Sequence, residues 1–182
     1  VFDDDDYKMA IKYCEPEQKS VYEAEAKSID NIHKTFLRIA QDETPFDVFI
    51  CYKETDDFGE RTQDSVYAYD IYDALTKEGL KVFFARVSLE DKLGSMYEPY
   101  IFSALNSAQV MLAIGTKREY FDAVWVKNEW SRFLQLIAKG EKKTLIPCYK
   151  DIDAYDMPKE FAKLQAQDMG KVGAIQDLLR GI

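Results

Sequence analysis

Histidine is nearly missing from this chain: His33 is the only one among 182 residues. That excludes histidine-based metal sites and any Ser-His or Cys-His triad within one chain. Cysteine is almost as scarce. Cys14, Cys51 and Cys148 are widely spaced with no CxxC. Cys51 and Cys148 fall inside apolar runs, where a buried reduced thiol is expected, and with it a reducing, cytoplasmic setting. No apolar stretch approaches the ~18 residues of a spanning helix, and no signal peptide is visible. Glycine-rich phosphate loops are lacking too, with neither G-x-G-x-x-G nor GxxxxGK[ST] in the sequence, so neither a dinucleotide fingerprint nor a P-loop is present. Positive charge is in deficit. The net charge is −9, and −5 with the run Asp3 to Asp6 set aside, which argues against a phosphate-tracking nucleic-acid surface.

What is present is a core. Hydrophobic residues make up 47% of the chain, and its length fits one domain of ordinary size plus an extension. It opens at Val1 rather than Met, as expected of a piece cut from a longer protein with additional domains. Residues 1–16 are acidic, with little order expected before Pro16. Over 17–41, Tyr22, Ala26, Ile29, Ile32, Phe36 and Ile39 recur at helical spacing, and Thr44-Pro45 breaks the helix. Residues 1–44 thus read as an acidic tail and an N-terminal helix, either packed on the domain or connecting it to an upstream module.

From Phe46 the period changes. The dense apolar run 46–52 predicts a central parallel strand. A helix is expected over 64–78, with Tyr67, Ile71, Tyr72 and Leu75 facing inward and Gly79 at its end. Further strands are expected over 80–85, 109–115, 144–149 and, weakly, 165–169. Helices are expected near 96–107, through Trp125 and Glu129 to Gly140, near 159–164, and from about Val172. This alternation predicts a parallel α/β sheet, whose ligands bind beyond the carboxyl ends of the strands. The loops there are Lys53 to Thr62, Arg86 to Ser95 and Thr116 to Val124. A phosphate-receiver domain is a poor fit, because the third strand ends Ile114-Gly115-Thr116 where a phosphoacceptor Asp would stand. FMN binding lacks a Ser/Thr/Gly phosphate loop after the first strand.

Phe46-Asp47-Val48-Phe49-Ile50-Cys51-Tyr52-Lys53 resembles the opening strand of Toll/interleukin receptor (TIR) domains. Gly79 to Phe84 is similar to the family's second strand, and 86–95 to its BB loop. Asn106 to Ile114 resembles the next helix end and third strand. Trp125-Val126-Lys127-Asn128-Glu129 falls where the family carries its W-x-x-x-E motif. The resemblance covers roughly 45–182. The long first loop, and a BB loop without the frequent proline, look more like a bacterial member than an animal adaptor. The resemblance implies a flavodoxin-like three-layer α/β sandwich, a five-stranded parallel sheet with helices on both faces. It also implies a chain that self-associates through TIR domains; the charge and the lack of a spanning stretch separately predict no nucleic-acid or membrane partner.

Members that keep this helix glutamate are often NAD-cleaving enzymes. By position, the resemblance assigns the catalytic role to Glu129 and an aromatic contact to Trp125. More loosely, it assigns pocket positions to Tyr52, Lys53, Phe83 and the 86–95 loop with Arg86. No metal and no cofactor are implied; NAD would be the substrate.

The residues themselves leave alternatives open. Trp125 and Glu129 are one turn apart on the same helix face. Val126, Trp130, Phe133, Leu134 and Ile137 form the core stripe, and Trp125, Glu129 and Arg132 lie about 100° to one side of it. Glu129 is either a ribose-facing carboxylate at a cleft or the partner of Arg132 in a surface ion pair. Trp125 stacks on a base or simply packs. Lys53 and Arg86 meet phosphates or are solvated. Phe83 and Phe84 point to opposite faces of their strand, so at most one reaches the site. Asp56 and Asp57 read as turn acids. The leading expectation is a NAD glycohydrolase or ADP-ribosyl cyclase of bacterial antiviral defence or signalling. The alternatives are a non-enzymatic TIR–TIR interaction module and a nucleoside deoxyribosyltransferase-like enzyme using a carboxylate nucleophile.

Overall fold

A computed structural model describes residues 45–88 and 97–182, together with helical positions at Lys19, Ser20, Glu23, Ala24 and Lys27. The side chains of 86 and 97–99 are not described. The expected 17–41 helix therefore lies largely outside the described residues. The chain divides into two compact units, residues 1–44 with 96–103, and residues 45–95 with 104–182. The sheet belongs wholly to the second.

Five strands pair in parallel in the order β2-β1-β3-β4-β5, the flavodoxin-like arrangement. They are β1 Val48–Cys51, β2 Val82–Phe83, β3 Val110–Gly115, β4 Thr144–Tyr149 and β5 Gln167–Asp168. Every residue of β1 and β3 is buried, because neighbours flank both strands and helices cover the faces. Their sequence is correspondingly a continuous apolar run rather than an alternation.

Helix α1 (Gln63–Lys77) starts at Thr62, whose side chain accepts a hydrogen bond from Ser65 N, and ends at Glu78. Gly79 follows at φ +85°, the left-handed position that ends a helix without a Cβ penalty. Its buried residues Asp64, Ala68, Ile71 and Leu75 repeat at helical spacing. Ala68, Ile71 and Leu75 join Val48, Ile50, Phe84 and Leu112 in one core layer, against which Tyr67 and Tyr72 pack half-buried. After β2 comes a four-residue helix, α2 (Ala85–Ser88), then α3 (Tyr97–Ser107). The expected loop 86–95 thus begins as helix, and its remainder lies outside the described residues.

A short helix, α4 (Arg118–Phe121), follows β3 within the stretch read as a loop. Next is α5 (Val124–Ala138), which buries Val126, Trp130 and Phe133 and packs against β1, β3 and β4. Trp130 donates its indole N–H to Phe121 O at 2.9 Å and meets Phe161 edge-on at 5.0 Å. Two 3₁₀ turns, Ala154–Asp156 and Lys159–Phe161, precede β5. The closing helix α6 (Ala174–Gly181) contacts α1. Among the described residues, no helix is long and apolar enough to cross a membrane.

Candidate active site

Beyond the carboxyl ends of β1 and β2 lies a cavity of about 330 Å³. It is lined by Phe49, Ile50, Tyr52, Glu54, Arg61, Phe83, Ala85 and Glu129. Three routes of the chain bring these groups together. Strand β1 supplies Phe49 and the residues that follow it, and β2 supplies Phe83, the parallel partner of Phe49 in the register. Helix α5 brings Glu129 across from the same face. Parallel pairing stacks the Phe49 and Phe83 rings at 4.8 Å, 14° from coplanar, giving the cavity an aromatic wall. Phe84 points the other way, into the α1 layer.

Glu129 is partly buried, one helical turn from the buried Val126 and beside the buried Trp130. Loss of water around its carboxyl pushes the pKa from 4.5 up to about 7, and a hydrogen bond from the Cys51 thiol offsets part of that rise. Arg132, three residues on, has no part in that shift. Cys51 is fully buried. Its Sγ lies 3.5 Å from Val126 O, within reach of both that carbonyl and the Glu129 carboxylate. Burial first, then the negative charge of Glu129, raise the thiol pKa well above its ordinary value. Cys51 is thus a neutral donor, inert as a thiolate nucleophile. Cys148 is likewise free and buried.

The loop after β1 folds back on itself. Thr55 and Arg61 form an antiparallel bridge, and Asp56 Oδ1 accepts from Phe58 N at 2.9 Å and from Glu60 N at 3.0 Å. Asp56 is therefore a turn acid of the kind its sequence suggests. Within this loop, Glu54 accepts a hydrogen bond from the Tyr52 hydroxyl at 2.5 Å and faces Arg61 at 3.8 Å.

Of the residues singled out in the sequence, Glu129, Tyr52 and Phe83 line the cavity together. Trp125 is 55% exposed and Lys53 pairs with Asp57 at 3.7 Å; neither is part of the lining. Arg86 sits on α2, and its side chain is not described. Sequence reasoning missed Phe49, Glu54 and Arg61. Phe49 had a signal, since the parallel pairing that selects Phe83 carries Phe49 beside it. Glu54 and Arg61 had only their place in a loop at the ligand edge. Among the described residues, no group of His, Cys, Asp or Glu is arranged to hold a metal.

A second buried carboxyl lies outside the cavity. Asp64 Oδ1 accepts from Thr116 N at 2.8 Å and Thr116 Oγ1 at 2.7 Å, tying the start of α1 to the end of β3. Its Oδ2 is buried with no hydrogen-bond partner, and burial pushes the pKa from 3.8 up to about 6. Thr116 is thereby committed to structure, and no residue of the 116–124 stretch lines the cavity.

A family model described as TIR domain matches residues 48–179. No curated protein matches the chain in sequence. Among solved structures, it is similar to the TIR domains of the activated Roq1 resistosome directly recognizing the pathogen effector XopQ. The identity there is 15%, with a TM-score of 0.56 over 75% of this chain and 98% of that one. It is also similar to the TIR domain of the Toll-related receptor TRR-2 from Hydra magnipapillata, at 16% identity and a TM-score of 0.54 over 75% of this chain and 97% of that one.

Proposed function

The chain belongs to the TIR domain family, and from that premise we propose that its cavity cleaves the nicotinamide–ribose bond of NAD, releasing nicotinamide. The observation that carries this reading is Glu129, a desolvated carboxylate with no cationic partner among the described residues, which opens onto a cavity walled by aromatic rings. Breaking the bond builds positive charge on the ribose while a neutral base departs. A carboxylate stripped of water gains more from a cation forming beside it than a hydrated one does. The leaving ring needs no proton, so a single carboxylate serves the cleavage step. Phe49 and Phe83, buried and stacked on each other, form a firm apolar wall for the site, and Tyr52 lines the same cavity. Arg61 is a cation at the same wall for the pyrophosphate. The Cys51 thiol steadies the carboxylate without competing as a nucleophile.

The product is ADP-ribose if water accepts the ribosyl group, or a cyclic isomer if an atom of the same nucleotide does. Self-association through TIR domains, with a neighbouring copy completing the site, belongs to the same proposal. So do a bacterial defence or signalling role, further domains in the full-length protein and a cytoplasmic setting, the last supported by the two free buried cysteines. Concentrated protein and its Glu129→Ala counterpart, incubated with NAD and followed by chromatography, test it. Nicotinamide from the parent alone is the expected result. No release from clustered chains would leave the interaction-module reading in its place, and a trapped glycosyl adduct on a carboxylate would point to the deoxyribosyltransferase chemistry.

A further inference from the structure

Two carboxylates line this cavity, and the chain treats them oppositely. Glu129 is partly buried and desolvated, and among the described residues no cation pairs with it. The Glu54 side chain is 37% exposed, accepts a hydrogen bond from the Tyr52 hydroxyl, and faces the guanidinium of Arg61. Its position is built rather than incidental. The Thr55–Arg61 bridge fixes the loop, Thr62 N donates to Glu54 O at 3.0 Å, and Tyr52 is the last cavity residue before the loop departs. Two carboxyl groups held in such different surroundings within one site are suited to different tasks.

On the glycohydrolase reading of this cavity, we propose that Glu54 is a second catalytic carboxylate, the general base for the acceptor water. Departure of nicotinamide needs no acid, but capture of the ribosyl cation by water leaves a proton that must go somewhere. Glu129, facing the cation, is committed to its charge. Glu54, at the wet side of the same cavity, has water at hand and carboxylate lone pairs left to accept from it. The water oxygen bonds to the ribose anomeric carbon, whose bond to nitrogen breaks. That electron pair neutralises the nicotinamide ring. The water proton passes to the Glu54 carboxylate and then to solvent. The products are ADP-ribose, nicotinamide and one proton. Tyr52 and Arg61 are positioning residues for Glu54 in this step.

The test uses the whole chain, Glu54→Gln and Glu129→Gln, each with NAD in the presence and absence of sodium azide, with products resolved by chromatography and mass. Azide is an anionic nucleophile and has no proton to lose. Glu54→Gln is expected to lose ADP-ribose formation by about 10²-fold. Azide is expected to restore its nicotinamide release, with a ribosyl azide as the accompanying product. Azide is expected to restore nothing to Glu129→Gln. Hydrolysis by Glu54→Gln at the parental rate overturns the role of Glu54, as does a loss that azide fails to restore, or a purely cyclic product made equally by both proteins. A parent that releases no nicotinamide under any of these conditions overturns the glycohydrolase reading itself, and the role of Glu54 falls with it.

Discussion

Glu129 is a residue that the fold tolerates at a cost. An unfolded chain releases its proton near pH 4.5 and the folded one near pH 7. Between those values the native state holds a proton that the unfolded state has lost. The contribution to stability is therefore fully present below pH 4.5 and lost as pH rises to 7, a difference of about 3 kcal/mol. Glu129→Gln should accordingly be more stable than the parent at pH 8 and no more stable at pH 4, measured by urea unfolding. Activity runs the other way. The ionised form stabilises the ribosyl cation, so nicotinamide release should rise with pH through a midpoint near 7 and be abolished in the glutamine variant. A pH–rate profile checks this. Asp64 obeys the same sign with a lower midpoint: stability is lost between pH 3.8 and about 6. Asp64→Asn keeps an oxygen to accept both Thr116 bonds and has no charge to bury. It should remove that part of the pH dependence, about 3 kcal/mol, while leaving the activity profile in place. Repeating the comparison in the Glu129→Gln background separates the two carboxyls.

Elements set where these residues stand, and close packing makes them intolerant of added volume. Gly115 ends β3 against Phe121, and a Cβ there would lie within 2.3–2.6 Å of three atoms of the phenyl ring. The ring is fully buried and cannot swing aside. Gly115→Ala should therefore cost about 1–3 kcal/mol by thermal unfolding, the range for overpacking a core. The same packing decided what was legible in the sequence. β1 and β3 stood out because strands buried on both faces must be apolar throughout. α1 and α5 stood out because each has one buried face, and the α5 stripe through Val126, Trp130 and Phe133 placed Glu129 at its border. β2 proved shorter than its apolar run, because Phe84 turns into the α1 layer and Ala85 already begins a helix. α4 is too short to show a period. Glu54 and Arg61 were hidden because the Thr55–Arg61 bridge that aims them is a long-side-chain loop arrangement with no repeating pattern to read.

At the scale of the whole molecule, charge works against the proposed substrate. With a net charge of −9, the chain repels an anionic dinucleotide at long range, while Arg61 acts only within the cavity. Raising ionic strength from about 20 to about 200 mM shortens the screening length from roughly 20 Å to roughly 7 Å. KM for NAD should then fall with added salt, whereas a site governed by contact with Arg61 would show KM rising. Initial rates at the two salt concentrations decide between them. The strand order carries a different kind of consequence. β1 lies inside the sheet, paired with β2 on one side and β3 on the other, yet it is the first of the five strands to be made. Val48 meets Val110 in the register, so about sixty more residues must leave the ribosome before its second edge is covered. At typical synthesis rates that is roughly 3–12 seconds. During translation, this wholly apolar strand waits with an open flank, and nascent chains of this topology are natural clients for whatever holds unpaired strands apart.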